Sequence, residues 1–181
     1  MDASVADCRF ERIDSNAVFL SGFNRRAQVL RNEFSLLGNN AVASWGRSVD
    51  YDGTGGQQPR HSVISGNIVH DIGLVQKQSS FYFQAQSCEN LLSANIAYNL
   101  PRAAVNFEDG FGGANVLTDN LLYNTCRESS DHGAFNVSCG CGLSDVPSSH
   151  SRLLRTAPYR RARRPRRTAV VGQDALRDHG R

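Results

Sequence analysis

Lysine is almost missing from this chain: Lys77 stands alone beside nineteen arginines. No apolar run approaches the roughly 18 residues that a membrane-spanning helix needs, so no membrane span is expected. The opening Met1-Asp2-Ala3-Ser4 has neither a basic segment nor an apolar one, and no secretory signal is read there. No stretch keeps a helical period for three turns, which argues against helical and alternating βαβ folds. Cysteine is sparse and badly spaced for metal. Cys139-Gly140-Cys141 has no second pair and no nearby histidines, so zinc is not expected, while Cys8, Cys88 and Cys126 read as buried free thiols.

Charge divides the chain in two. Residues 1–136 hold ten Lys and Arg against fourteen Asp and Glu, whereas residues 137–181 hold ten Arg against three Asp. The net charge of +3 therefore describes neither part, and it is no nucleic-acid signature. The Arg160–Arg167 run could meet phosphate, but it reads as a solvated tail, and no nucleic-acid partner is expected.

What the chain has is a repeated register. Asn32, Asn67, Asn95 and Asn120 each follow an aliphatic residue by three positions: Val29, Ile64, Leu92 and Leu117. Two positions later come Phe34, Val69, Ala97 and Leu122; five later come Leu37, Ile72, Leu100 and Thr125. Cys8 opens an earlier copy, giving spacings of 24, 35, 28 and 25 residues. Such a period, with short apolar runs punctuated by Gly, Asn and Ser, is that of a solenoid. Strands without intervening helices predict an all-β parallel β-helix of four to five coils. Equivalent residues would then lie about 4.8 Å above one another. The asparagines would adopt the left-handed corner bend and bond to one another down the stack.

The 35-residue coil carries an insertion over residues 47–56, rich in Gly and Asp, expected to leave the cylinder as a loop. Smaller excursions are expected at Val75–Gln78 and at Arg127–Ser130. Residues 1–136 are read as the repeat domain. Residues 137–181, Arg-rich and holding Pro147, Pro158 and Pro165, are read as a disordered or out-of-frame tail. The repeat body is thus expected to be a truncated fragment, without caps on its end coils.

The units Val63-Ile64-Ser65-Gly66-Asn67-Ile68-Val69 and Val116-Leu117-Thr118-Asp119-Asn120-Leu121-Leu122 resemble the right-handed parallel β-helix, or pectin-lyase-like, superfamily. Asp131-His132-Gly133-Ala134-Phe135-Asn136 is similar to a segment of large β-helix proteins, where Trp-Asp-Arg follows; here Val137-Ser138-Cys139 follows instead. The resemblance implies a right-handed coil, an extracellular setting, and polysaccharide as the partner or substrate. The Arg-x-x-Pro-x-x-Arg signature of pectate lyases and the paired-Asp and Arg-x-Lys motifs of polygalacturonases are absent, so no catalytic residue carries over.

Aligning Ala41-Val42, Ala104-Val105 and Ala134-Phe135 places Trp45, Glu108 and residue 138 on one lateral line, joined by Gln84. Arg102 and His132 precede their alanines by two positions, as Asn39 does. Trp45, Gln84, Glu108 and Asp109 are the candidate substrate-binding residues; Arg102, His132 and Asp131 are the candidate catalytic ones. Trp stacks on sugar faces, Arg pairs with carboxylates, and Arg or His could take a proton beside a uronate carboxylate. The expected function is polysaccharide binding. A uronate lyase or C5-epimerase and a protein-binding adhesin or scaffold are the alternatives. No cofactor is expected; Ca²⁺ at Glu108-Asp109-Gly110 is the lesser reading, and Asp50 and Asp52 lack the spacing and terminal Glu of an EF-hand.

Overall fold

The computed structural model describes residues 2–48, 55–108, 113–130 and 132–138. Among these residues there is no helix, and the chain winds through five coils of three short strands each. The first coil holds β1 (Ser4–Ala6), β2 (Arg9–Glu11) and β3 (Val18–Ser21). The second holds β4 (Gln28–Leu30), β5 (Glu33–Ser35) and β6 (Val42–Trp45); the third, β7 (Val63–Ser65), β8 (Ile68–His70) and β9 (Tyr82–Ala85). The fourth holds β10 (Leu91–Ser93), β11 (Ile96–Tyr98) and β12 (Val105–Glu108). The fifth holds β13 (Val116–Thr118), β14 (Leu121–Tyr123) and β15 (Phe135–Val137). Each strand pairs in parallel with its equivalent in the next coil, forming three five-stranded sheets.

The register is the one the repeat predicts. Val29 pairs with Ile64, Ile64 with Leu92, and Leu92 with Leu117, and Val5 extends the column by one coil. In the second sheet Phe10, Phe34, Val69, Ala97 and Leu122 align. In the third the inward column is Val18, Val42, Tyr82, Val105 and Phe135. Most of these side chains, with Leu37, Ile72 and Leu100, are buried in one core. Parallel strands alternate sides every residue, so one inward residue per three-residue strand fills the cylinder.

The asparagines form the expected column, with more bonds than a turn requires. Asn67 Nδ2 donates to Asn95 Oδ1 at 2.9 Å and to the Val29 carbonyl at 2.9 Å. Asn95 Nδ2 donates likewise to Asn120 Oδ1 at 2.8 Å and to the Ile64 carbonyl at 2.9 Å. The backbone N–H of Asn67 also donates to Asn95 Oδ1, at 3.0 Å. Each amide thus satisfies groups on both neighbouring coils that the corner would otherwise strand in the core. Two shorter columns stand at other corners. Asn40 Nδ2 donates to Asn16 Oδ1 at 2.9 Å, and the N–H of Asn90 donates to Asn115 Oδ1 at 3.0 Å.

One expectation is corrected. The left-handed bend falls on the residue before each ladder position: Asp7, Arg31, Gly66, Ala94 and Asp119, at φ of 55°, 53°, 67°, 53° and 56°. The asparagine itself must aim its amide inward, so the bend passes to its outward neighbour. Asparagine does take the bend at the next corner, where Asn99 and Asn124 lie at φ of 57° and 49°.

The three expected excursions fall between strands, at residues 47–56 after β6, 75–78 after β8 and 127–130 after β14. Residues 49–54 of the insertion lie outside the described residues, but its base is closed by Arg47 N–H donating to Gln57 O at 2.7 Å. Val75 and Gln76 N–H donate to the Gly38 carbonyl, folding that excursion onto the second coil. Val137 still pairs with Phe107, and Ser138 N–H donates to the Phe107 carbonyl at 2.7 Å. The register therefore runs slightly past residue 136; residues 139–181, the greater part of the Arg-rich tail, lie outside the described residues. Cys8, Cys88 and Cys126 are free thiols, yet Cys8 is exposed and the other two are only partly covered. Cys8 occupies the first ladder slot, where its backbone N–H bonds to Asn32 Oδ1 and its side chain is left outside.

Two predictions follow from the corners and columns. Asn95→Ala would orphan four partners in a fully buried site, so it should cost about 2–4 kcal/mol, close to Leu92→Ala. Urea unfolding would measure both, and a loss below 1 kcal/mol at Asn95 would contradict the ladder's role. Ala94→Gly should stabilise by roughly 0.5–1 kcal/mol, because the left-handed conformation costs alanine and not glycine. A lower urea midpoint for that variant would refute the assignment of the bend.

Candidate functional site

The outward residues of the third sheet form two rows running along the solenoid. Phe19, Ala43, Phe83, Asn106 and Asn136 make one; Ser21, Trp45, Ala85 and Glu108 make the other. Trp45 and Glu108 thus share a lateral row, as expected, with Ala85 between them. At about 4.8 Å per coil they lie about 10 Å apart along the axis.

Gln84 is not on that row. It pairs with Ser44 and Phe107, faces the interior, and is only 3% exposed. A shift of one residue moves a strand side chain to the opposite face. The Phe81-Tyr82-Phe83 run places aromatics on both faces and so hides the alternation. Inside, Gln84 Nε2 donates to the Ser87 carbonyl at 2.7 Å, and Gln84 Oε1 accepts from the Tyr82 hydroxyl at 3.1 Å. Gln84 is therefore a buried core residue and not part of the outward row.

The aromatic half of the face centres on Trp45, 47% exposed, whose ring lies 5.7 Å from Phe83 and tilted by 40°. Phe19 is exposed one coil below Trp45. A tilted, half-exposed indole leaves ring surface open to a ligand. The second sheet differs: His70, Tyr98 and Tyr123 stack nearly parallel at 5.0 and 5.1 Å. Their facing sides cover one another, while Tyr123 at the end of the stack stays exposed. His70 also contacts Asp71 at 2.9 Å, in keeping with a structural corner.

The polar half lies on the fourth and fifth coils. Arg102 Nη1 donates to Gln78 Oε1 at 2.6 Å, its Nη2 lies 3.8 Å from Glu108 Oε1, and the same Nη2 contacts His132 Nε2. Glu108 Oε1 also accepts from Asn106 Nδ2 at 2.7 Å, and Asn106 Oδ1 accepts from Asn136 Nδ2 at 2.8 Å. Arg102 and Glu108 are mostly covered, with side chains 12% and 23% exposed, and Asn106 is fully buried. A guanidinium can only donate, so His132 Nε2 is the acceptor in its contact with Arg102.

The fold therefore gathers Arg102, His132 and Glu108, with Trp45 two coils below Glu108. Asp109 and Asp131 lie outside the described residues, as does Gly110. Gln78, Phe83, Asn106 and Asn136 are not among the candidate site residues read from the sequence. The alternation in Val105-Asn106-Phe107 and Phe135-Asn136-Val137 could have marked the two asparagines. Among the described residues no three His, Cys, Asp or Glu side chains gather as a metal-ligand set. Nor is any helix long and apolar enough to cross a membrane.

Burial pushes the Tyr82 phenol up to about 12, which gives a pH test of the interior assignment. A folded-state value above the unfolded value of about 10 makes stability full below pH 10 and lost as pH rises toward 12. Two units correspond to about 2–3 kcal/mol of alkaline destabilisation. Tyr82→Phe should lose about 1 kcal/mol at neutral pH through its hydroxyl bond, yet flatten the decline above pH 10. Urea midpoints across that range would report it; an unchanged slope would place the phenol in solvent.

No family model, curated protein or solved structure matches this chain, so the fold rests on strand pairing and no residue role is transferred from a relative.

Proposed function

We propose that this chain is a right-handed, pectin-lyase-like β-helix module that binds a polysaccharide along the outer face of its third sheet. Right-handedness is the rule for crossovers between parallel strands of one sheet. The observation that carries the reading is the half-exposed Trp45, set against Phe83 on the face that also holds Glu108, Arg102 and His132. Aromatic rings take the C–H faces of sugars while amides and carboxylates take hydroxyls, and two rows along the axis suit a polymer.

The reading favours binding over proton abstraction because of one contact. His132 Nε2 contacts Arg102 Nη2, so the ring edge that would have to approach a substrate proton is already engaged. Arg102 Nη2 also lies 3.8 Å from Glu108 Oε1, so its fork is turned toward neighbouring side chains. A lyase or epimerase would have to undo both arrangements before it could act.

Affinity electrophoresis in gels cast with a panel of soluble polysaccharides tests the proposal, with ultraviolet absorbance for unsaturated uronate followed in parallel. The expected result is retardation by at least one polymer without new absorbance. Trp45→Ala should weaken that binding about tenfold, roughly 1.4 kcal/mol. Retardation that survives Trp45→Ala undiminished would move the site elsewhere. Unsaturated product that disappears in His132→Ala would instead establish an enzyme.

A further inference from the structure

Resting on the glycan-binding reading above, we infer that the polymer held by this face is uncharged and that uronate polymers are excluded from it. Across the paired positions of the two outward rows, the single ionisable side chain is Glu108, the others being Phe, Trp, Ala, Ser and Asn. Among the described residues, the paired positions of the two rows thus hold one negative charge and no positive charge.

The cation that reaches this face from the neighbouring corner is Arg102, and it is already committed. Recognition of a carboxylate by arginine uses two N–H groups on one edge of the fork. Here Nη1 is bonded to Gln78, and Nη2 is shared between His132 and Glu108. Nε is buried. With 12% of the side chain exposed, little of the fork is open to a ligand. Glu108 acts as the internal counter-charge, occupying the place a uronate carboxylate would take. A second carboxylate arriving there would meet Glu108 at short range, and like charges brought together across an interface are strongly disfavoured.

Lys77 and Arg47 are not on the rows either. Lys77 is ion-paired with Glu128 at 3.2 Å. Arg47 is exposed two residues beyond Trp45, past the end of β6. What the rows themselves offer is ring surface on the first three coils and Asn136 with the edge of Glu108 on the last two. Four coil steps span about 19 Å. That chemistry recognises C–H faces and hydroxyls along a chain, and it has no group for acid sugars.

The test uses the full 181-residue chain. Its migration is compared in gels containing an uncharged glucan or galactomannan and in gels containing polygalacturonate or alginate, each at low and high salt. The expected result is retardation by an uncharged polymer, insensitive to salt, with no more than a tenth of that affinity for either uronate. Glu108→Gln keeps an acceptor for Asn106 but removes the counter-charge of Arg102. It should therefore gain uronate binding at least threefold, and salt should abolish the gain. A parallel thermal melt checks that the variant folds; should it not, Glu108→Asp, which keeps the charge, should remain unable to bind uronate. Uronate retention by the wild-type chain equal to or above that of the neutral polymers would overturn the inference and leave glycan binding intact. Loss of that retention in Arg47→Ala would then locate it outside the rows. Failure of every polymer to retard the chain would overturn the binding reading as well.

Discussion

The vertical hydrogen bonding between equivalent residues of successive coils is the constraint on which this molecule rests. Each strand is only three or four residues long, and a lone strand of that length has no stability of its own. Stacking gives every strand two neighbours, except in the end coils, and it brings each inward side chain over its counterpart. The aliphatic columns then remove apolar surface from water continuously along the axis, at about 25 cal/mol per Å². A slip of one residue in any coil would turn its inward residue out, as the position of Gln84 relative to Ala85 makes plain.

The corners make that stacking specific. A bend in the backbone leaves N–H and carbonyl groups without strand partners, and the buried asparagines take them up. Asn32, Asn67, Asn95 and Asn120 are among the buried polar residues, so their bonds form away from competing water. Charged corners outside contribute less. The Asp7–Arg31 and Asp2–Arg26 pairs join adjacent coils at 2.7 and 2.6 Å, but both are open to solvent, where such pairs are weak.

Much of this was legible before any coordinates. Val29, Ile64, Leu92 and Leu117 mark a column because an inward position accepts only apolar side chains, and the repeat preserves that demand. The insertions were legible too, because added residues change the spacing without disturbing the register around them. The identity of the left-handed residue was not, since the bend needs an outward residue and Asp7, Arg31, Gly66, Ala94 and Asp119 have no common chemistry. The candidate face was half legible. Trp45 and Glu108 align because their coils share the Ala-Val step before the strand. Gln84 misled because β9 carries aromatics on both sides. The Arg102, His132 and Glu108 contacts depend on how far long side chains reach over a sheet, which no spacing in the sequence records.

The asparagine columns also have a sense. In the long column the amide-to-amide bonds of Asn32, Asn67 and Asn95 run toward the following coil, whereas Asn40 donates back toward Asn16 in the preceding one. Backbone N–H groups that can only donate pin these orientations, so neither column can reverse by flipping its amides. An α-helix adds its peptide dipoles into a field at each end. Here the long column and the Asn90–Asn115 pair donate toward the following coil and the Asn40–Asn16 pair toward the preceding one, so the amide dipoles of the three columns add only in part along the axis.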